Sequence, residues 1–171
     1  MRKIEFYLKK GKIVKDKTVI SLTKKYLDKA KNNLITMGIL SNLNNKKARI
    51  LLQIPSDYNS NEWVAITGYY ALYTAALSLI ASIGFRSKNH AATLMILEEY
   101  FVKKKQLNQK DLMLIKNAHF QKEELEKLAD AKNKREIAQY SVTKQTSKEI
   151  AEKIKKDAYS FINKCEEILG V

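Results

Sequence analysis

Two histidines, three clustered tyrosines and an arginine–tyrosine pair are the side chains of this chain best suited to act on a ligand. Tyr69 and Tyr73 are four residues apart, so a helix places them on one face, with Tyr70 beside them. Core packing with hydrogen-bonded hydroxyls is the favoured interpretation of these tyrosines, and the polar wall of a ligand groove is the alternative. Arg135 and Tyr140 form either an ordinary helix-surface pair or a contact to a phosphate.

The two histidines are the side chains whose ordinary pKa lies nearest neutral pH, which makes them candidates for proton transfer. His90 falls in the first turn of a predicted helix, where the positive end of the helix dipole favours the neutral ring. A hydrogen bond from that ring to a neighbouring helix is the favoured role, and a ligand contact is the alternative. His119 lies in the polar stretch of residues 117–121 and is expected to face solvent.

Several other kinds of site are excluded by residue type and spacing. Two histidines and one cysteine on separate elements do not make a tetrahedral metal set, and HExxH and CxxC spacings are absent. No glycine-rich GxGxxG or GxxxxGK loop is present to hold phosphates, and no serine-nucleophile elbow occurs. We therefore expect no metal and no cofactor.

The longest uncharged segment must position the three tyrosines. Residues 63–85 contain no charge, although 29% of the chain is charged. A helix of that length spans roughly 34 Å, enough for a membrane span or for the central helix of a bundle. Its threonine, tyrosine and serine hydroxyls would lack partners in hydrocarbon, so a buried core helix is favoured. Ser60 is its predicted N-cap, and Gly84 suits the position just beyond its end.

Further helices are predicted before and after this segment. The first begins near Asp16 and is interrupted at Gly38, and the structure of residues 38–59 is left open. Ser87 is the predicted cap of the next helix, and Asn108 with Asp111 resembles a capping box. The final amphipathic helix runs over residues 147–169. The pattern predicts an all-α, single-domain, up-and-down bundle of about five helices without a sheet.

Composition agrees with a helical domain and leaves the role of the charge open. The 171 residues include one proline, five glycines and one cysteine, and the net charge is +14. Cys165 lies on the apolar stripe of the last helix and is expected to be buried in a reducing compartment. The absence of an apolar segment at the N-terminus predicts a cytoplasmic protein. The positive charge indicates either attraction to RNA or a lysine-rich composition, and its scatter along the chain slightly favours composition.

Three segments stand out by their order and separation: residues 68–76 (GYYALYTAA), residues 84–90 (GFRSKNH) and residues 135–140 (REIAQY). Together they resemble HEPN domains of the archaeal and bacterial UPF0332 type. Residues 6–13 resemble the short leader that precedes the first helix in such proteins. The resemblance covers nearly the whole chain and implies a leader over residues 1–15 and a HEPN-like helical domain over residues 16–171.

The resemblance implies a nucleotide- or RNA-binding module and puts catalysis in question. Nuclease members of the HEPN superfamily use an arginine followed, after four to six residues, by a histidine. Tyr140 stands at that position here, and a phenol with a pKa near 10 is a weak base at pH 7. The binding residues implied are Tyr69, Tyr70, Tyr73, Arg86, Lys88, His90, Arg135 and Tyr140, of which Arg135 and Tyr140 are also the catalytic candidates.

Three functional hypotheses follow. The first is a non-catalytic module that binds RNA or a nucleotide weakly, in a salt-sensitive way, and acts with a minimal nucleotidyltransferase in a toxin–antitoxin-like or signalling unit. The second is a metal-independent endoribonuclease toxin that uses Arg135 and Tyr140. The third is a dimeric scaffold whose groove binds only a protein. A homodimer that does not span a membrane is expected in all three.

Overall fold

Seven α-helices and two short strands form the part of the chain that the computed structural model describes, residues 3–133 and 148–171. The elements in chain order are α1 (Lys3–Lys9), β1 (Ile13–Lys15), a 3-10 helix (Lys17–Leu22), α2 (Thr23–Asn42), α3 (Lys46–Leu51), α4 (Asn61–Ser82), β2 (Phe85–Ser87), α5 (His90–Leu97), a π-helical turn (Glu98–Val102), α6 (Gln109–Asn133) and α7 (Lys148–Leu169). The predicted all-α bundle is confirmed. The five longest helices are the predicted ones, and α1 and α3 are additional short helices.

The uncharged helix α4 lies at the centre of the bundle. It packs most extensively against α2 and α7, and on its other side it contacts α6 and α5. By length and composition it could cross a membrane, but 72% of its most apolar window is buried inside the protein. The predicted buried core helix is therefore confirmed. Gly84 follows the helix with φ +73°, a backbone conformation that favours glycine, as predicted.

Small residues bring the backbone of α4 close to its two main neighbours. A Cβ placed on Gly68 would overlap the Ile154 side chain of α7 and lie 3.1 Å from the Met37 sulfur of α2. Ala71 and Ala75, three and seven residues further on, share this face and are fully buried. The absence of large side chains here lets three helices meet with little space between them.

One predicted helix boundary and the predicted burial of Cys165 are confirmed. The capping box at the start of α6 is present, because the Asn108 amide donates to the Asp111 carboxylate at 2.7 Å and the Asp111 amide donates to the Asn108 side chain at 3.1 Å. Lys164 of α7 also donates to that carboxylate at 2.7 Å, which ties α7 to the start of α6. Cys165 is fully buried as predicted, and this burial raises the pKa of its thiol.

Two other predicted boundaries are wrong. Gly38 does not interrupt the first long helix, since α2 continues to Asn42. A glycine inside a helix costs about 1 kcal/mol, which the packing of α2 against the core outweighs. Ser87 does not cap α5. Asn89 does so by accepting a hydrogen bond from the Ala92 amide at 2.8 Å, because Ser87 belongs to a strand.

A small antiparallel ribbon corrects the prediction of a bundle without a sheet. Strand β1 pairs with β2, with Ile13 opposite Ser87 and Lys15 opposite Phe85. The turn at Gly84 sends the chain back along the N-terminal segment, where Ile13 is buried in the core. Residues 3–15 therefore pack on the bundle, and the division between residues 1–15 and 16–171 stays a prediction.

Candidate functional site: an aromatic and imidazole cluster

A group of aromatic rings and one cation lies where α4, α5 and α6 meet. Helix α4 supplies three tyrosines, the first residue of α5 is a histidine, and α6 supplies a histidine and a lysine. We name these six residues the aromatic cluster: Tyr69, Tyr70, Tyr73, His90, His119 and Lys122. The cluster contains four of the residues predicted from the sequence, and it adds His119 and Lys122.

Four of the rings contact one another in a closed circuit. The rings of His90 and His119 stack with centroids 4.0 Å apart and planes inclined by 16°. Tyr73 stacks on His90 at 5.6 Å, and Tyr69 stacks on Tyr73 at 5.7 Å. Tyr69 completes the circuit against His119 at 5.5 Å. The spacing of four residues in α4 sets the two tyrosine rings side by side, as predicted.

The imidazole nitrogens in this cluster are poorly satisfied. Both ring nitrogens of His90 and the Nδ1 atom of His119 are buried and have no hydrogen-bond partner among the residues described. Burial, followed by repulsion from His119, lowers the pKa of His90 to about 4. The neutral ring that we expected is therefore supported, mainly by burial, but the expected hydrogen bond to a neighbouring helix is not seen.

One edge of the cluster faces solvent and carries a positive charge. The Tyr70 side chain is 42% exposed, whereas Tyr69 beside it is buried. The Lys122 ammonium lies 5.6 Å from the centroids of both rings. This arrangement offers an exposed ring face next to a cation, which suits a flat group that carries a negative charge.

The prediction that His119 faces solvent is wrong, because His119 is half-buried against His90 and Tyr69. Its Nε2 atom also lies 3.3 Å from the Glu123 carboxylate, one turn further along α6. The sequence does contain the signal that was missed. His119 and Lys122 follow the buried Ile115 at four and seven residues, so they continue the inward face of α6.

The other predicted binding residues lie apart from the cluster or outside the residues described. Arg86 is in β2, where its Nε atom pairs with the Asp16 carboxylate at 3.0 Å. Hydrogen bonds from Thr18, together with Arg86, lower the pKa of Asp16. Lys88 directly follows β2 and is exposed. Arg135 and Tyr140 lie outside the described residues, so their place relative to the cluster stays a prediction.

The arrangement of the two histidines does not suit a metal ion. Their rings are stacked face to face, so their in-plane lone pairs run nearly parallel and do not converge on one point. Within residues 3–133 and 148–171, no group of three or more histidine, cysteine, aspartate or glutamate side chains is placed to hold a metal.

An all-α bundle with an aromatic, imidazole-containing surface between α4, α5 and α6 is the class of protein that these observations define. No protein-family model matches the chain. A UPF0332 protein of Archaeoglobus fulgidus is 31% identical to it over 100 residues, which cover 58% of this chain and 69% of that protein. The chain belongs to the UPF0332 family.

Proposed function

We propose that this protein is a HEPN-type module that binds RNA or a nucleotide through the aromatic cluster and does not cleave it. The observation that carries the proposal is the exposed Tyr70 ring beside the Lys122 ammonium, backed by the adjoining rings of Tyr69 and His119. Stacking of a base on an exposed aromatic ring contributes about 1–3 kcal/mol, and a neighbouring cation attracts its phosphate.

The net charge of +14 supports the same proposal through long-range attraction. Each lysine or arginine that neutralises a phosphate releases counterions, so affinity falls steeply as salt is added. Contacts to the phosphate backbone carry no base information, and a ring stacks on any base. Weak binding with little sequence preference is therefore expected.

The closeness of His90 and His119 favours ribonuclease activity as a second candidate, since cleavage of RNA needs a base and an acid near one phosphate. Their geometry argues against it. Ring centroids 4.0 Å apart leave no room for a phosphate between the imidazoles. A His90 ring whose pKa is about 4 is also a poor base for a ribose hydroxyl at neutral pH.

A matched pair of tyrosine substitutions tests the proposal. Tyr70 on α4 and Tyr159 on α7 are both 42% exposed. Fluorescence anisotropy with a labelled single-stranded RNA at low salt should show that Tyr70→Ala weakens binding about 5- to 100-fold, the equivalent of one lost stack. Tyr159→Ala should leave binding unchanged. Equal effects of the two substitutions would contradict binding through Tyr70, and no binding by the wild-type protein would favour a scaffold that binds only protein.

The resemblance also places Arg135 and Tyr140 in the proposed function, and two substitutions test this. If Arg135 contacts the RNA phosphate, Arg135→Ala weakens binding more than replacement of a scattered surface lysine such as Lys116 does. Tyr140→His restores the arginine–histidine spacing of the nuclease members and tests for gained cleavage. Degradation of RNA by pure wild-type protein, abolished by Tyr140→Phe, would establish the ribonuclease alternative.

The proposal further includes a homodimer and a minimal nucleotidyltransferase partner in a toxin–antitoxin-like or signalling unit. Both rest on the resemblance to HEPN proteins. Light scattering at micromolar concentration tests the dimer, because a monomer there contradicts it. Co-purification with a nucleotidyltransferase expressed from the same operon tests the partner.

A further inference from the structure

A cavity of about 340 Å³ lies between the β1–β2 ribbon, the 3-10 helix, α2 and α4. Its apolar wall includes Val19, Leu77, Ile80 and Phe85, three of which are almost fully buried. The cavity is within the size range of small-molecule sites, which are lined mainly by apolar groups with a few polar ones.

The polar groups that line this cavity are few. Two phenols, those of Tyr26 on α2 and Tyr73 on α4, belong to its wall. Ser87 supplies a hydroxyl that is held in place, since its oxygen lies 2.7 Å from the Thr93 hydroxyl. The Tyr73 hydroxyl lies 3.3 Å from the same threonine. Aromatic walls with fixed hydroxyls suit a flat ring that carries hydrogen-bonding groups.

The charge that lines the cavity is positive. Arg86 and Lys88 both belong to its wall. Arg86 is paired with Asp16, so its charge is largely balanced. Lys88 is exposed and forms no ion pair within residues 3–133 and 148–171. An anionic group on the ligand would therefore meet one uncompensated ammonium, next to an arginine that can add a second hydrogen bond.

We propose that this cavity binds a small molecule with one flat ring and one anionic group, with the ring against Phe85 and the tyrosines and the anion at Lys88. A nucleoside monophosphate and an aromatic carboxylate share this chemistry. The cavity adjoins the aromatic cluster, and the proposal does not depend on RNA binding. Tyr73 belongs to both the aromatic cluster and the cavity, because its ring stacks on His90 and also lines the cavity.

Titration of the full-length ¹⁵N-labelled protein, followed by amide NMR shifts, tests the proposal. The probes are adenosine 5′-monophosphate and indole-3-acetate, each compared with its uncharged counterpart, adenosine or indole-3-acetamide. At least one anionic probe should give saturable shifts at Val14, Tyr73 and residues 85–88, and its neutral counterpart should bind at least about 5-fold more weakly. Whichever anion binds identifies phosphate or carboxylate as the preferred group.

Two substitutions locate the site. Lys88→Gln should weaken the anionic probe about 5- to 10-fold, whereas Lys104→Gln, the same change at an exposed lysine outside the cavity, should have no effect. Leu77→Trp should abolish binding by filling the cavity. If that variant does not fold, the comparison of the two lysine variants still tests whether the probe binds in the cavity.

The proposal would be overturned by the lack of saturable shifts at millimolar probe, by equal binding of charged and neutral probes, or by equal effects of the two lysine variants. Shifts confined to Tyr70, His119 and Lys122 would also overturn it. Such shifts would instead support nucleotide binding at the aromatic cluster.

Discussion

The two sides of α4 carry different residues, small ones on one side and aromatic ones on the other. Towards α2 and α7 the helix presents Gly68, Ala71 and Ala75, and the helices approach closely. Towards α5 and α6 it presents Tyr69 and Tyr73, whose rings contact imidazoles with nitrogens that find no hydrogen-bond partner in the described part of the chain. Unsatisfied buried nitrogens cost stability, and such costs are concentrated at functional sites. We infer that the small-residue side stabilises the fold and that the aromatic side serves binding.

The largest expected effect is on the small-residue side. Gly68→Ala should lower the free energy of unfolding by about 1–3 kcal/mol, because the new methyl group overlaps Ile154 and crowds Met37. Urea denaturation measures the change. Gly38→Ala is the matched control, since the nearest atom to its new Cβ is the Tyr159 hydroxyl at 3.6 Å. It should stabilise the protein by about 0.5–1 kcal/mol. A Gly68→Ala protein as stable as the wild type would show that the helices do not meet closely.

The second prediction concerns His90 on the aromatic side. Its pKa is about 4 in the folded protein and 6.5 otherwise, so between these values the unfolded chain binds a proton that the folded protein does not. The titration of His90 therefore leaves stability unchanged above pH 6.5 and lowers it as the pH falls to about 4, because protonation favours the unfolded chain. Because the ring is only half-buried, we expect a loss of about 1–2 kcal/mol after solvent screening.

Urea denaturation of wild-type and His90→Gln protein at pH 7 and pH 4.5 measures this loss. The wild type should lose more stability between the two pH values than the variant does. His119 and the phenols of Tyr69 and Tyr73 face His90 and remain in both proteins, so the difference between the two losses reports His90 and its repulsion with His119. Equal losses would mean that His90 titrates normally.

A third, smaller effect is expected at the Tyr73 hydroxyl. Tyr73→Phe removes its 3.3 Å contact with the Thr93 hydroxyl but keeps the ring. Thr93 retains the shorter contact to Ser87 at 2.7 Å, so the substitution should cost only about 0.5–1 kcal/mol. Thermal unfolding of Tyr73→Phe and of Ser87→Ala compares the two contacts, and Ser87→Ala should lose more stability. A larger loss for Tyr73→Phe than for Ser87→Ala would show that the hydroxyl, and not ring stacking, stabilises this side of α4.

The smallest effect on stability is expected at Tyr70. Tyr70 is exposed to 42%, so Tyr70→Ala should change the free energy of unfolding by less than about 1 kcal/mol while it weakens RNA binding. Urea denaturation and anisotropy on the same preparation measure both quantities. A variant that loses both stability and affinity would contradict the division of α4 into one side for stability and one side for binding.

Much of the fold was predictable because its signals are local. The uncharged run of residues 63–85 predicts the central helix, and Asn108 with Asp111 predicts the start of α6. The β1–β2 ribbon was missed because each strand has three residues and the two are far apart in the sequence. No periodicity develops over three residues, and their pairing depends on how the turn at Gly84 directs the chain.

The candidate site was predictable only in part for a similar reason. The spacing of Tyr69 and Tyr73 sets them side by side within one helix, which sequence alone shows. The stacking of His90 on His119 joins two helices, so it depends on their relative position in the folded bundle. Arg86 and Lys88 follow α4 directly, yet the turn at Gly84 places them in the wall of a separate cavity.

The close fit of Ile154 against Gly68 also bears on how the protein is made. Helix α4 emerges from the ribosome after α2 and before α7, and residues 83–147 must be synthesised between α4 and α7. During that interval the groove at Gly68 has no Ile154 to cover it, and the uncharged part of α4 is only partly sheltered. Apolar surface of this kind favours aggregation or chaperone binding. Translation that stalls before Lys148 would release a chain that lacks the covering helix, and such chains are expected to be cleared by proteolysis.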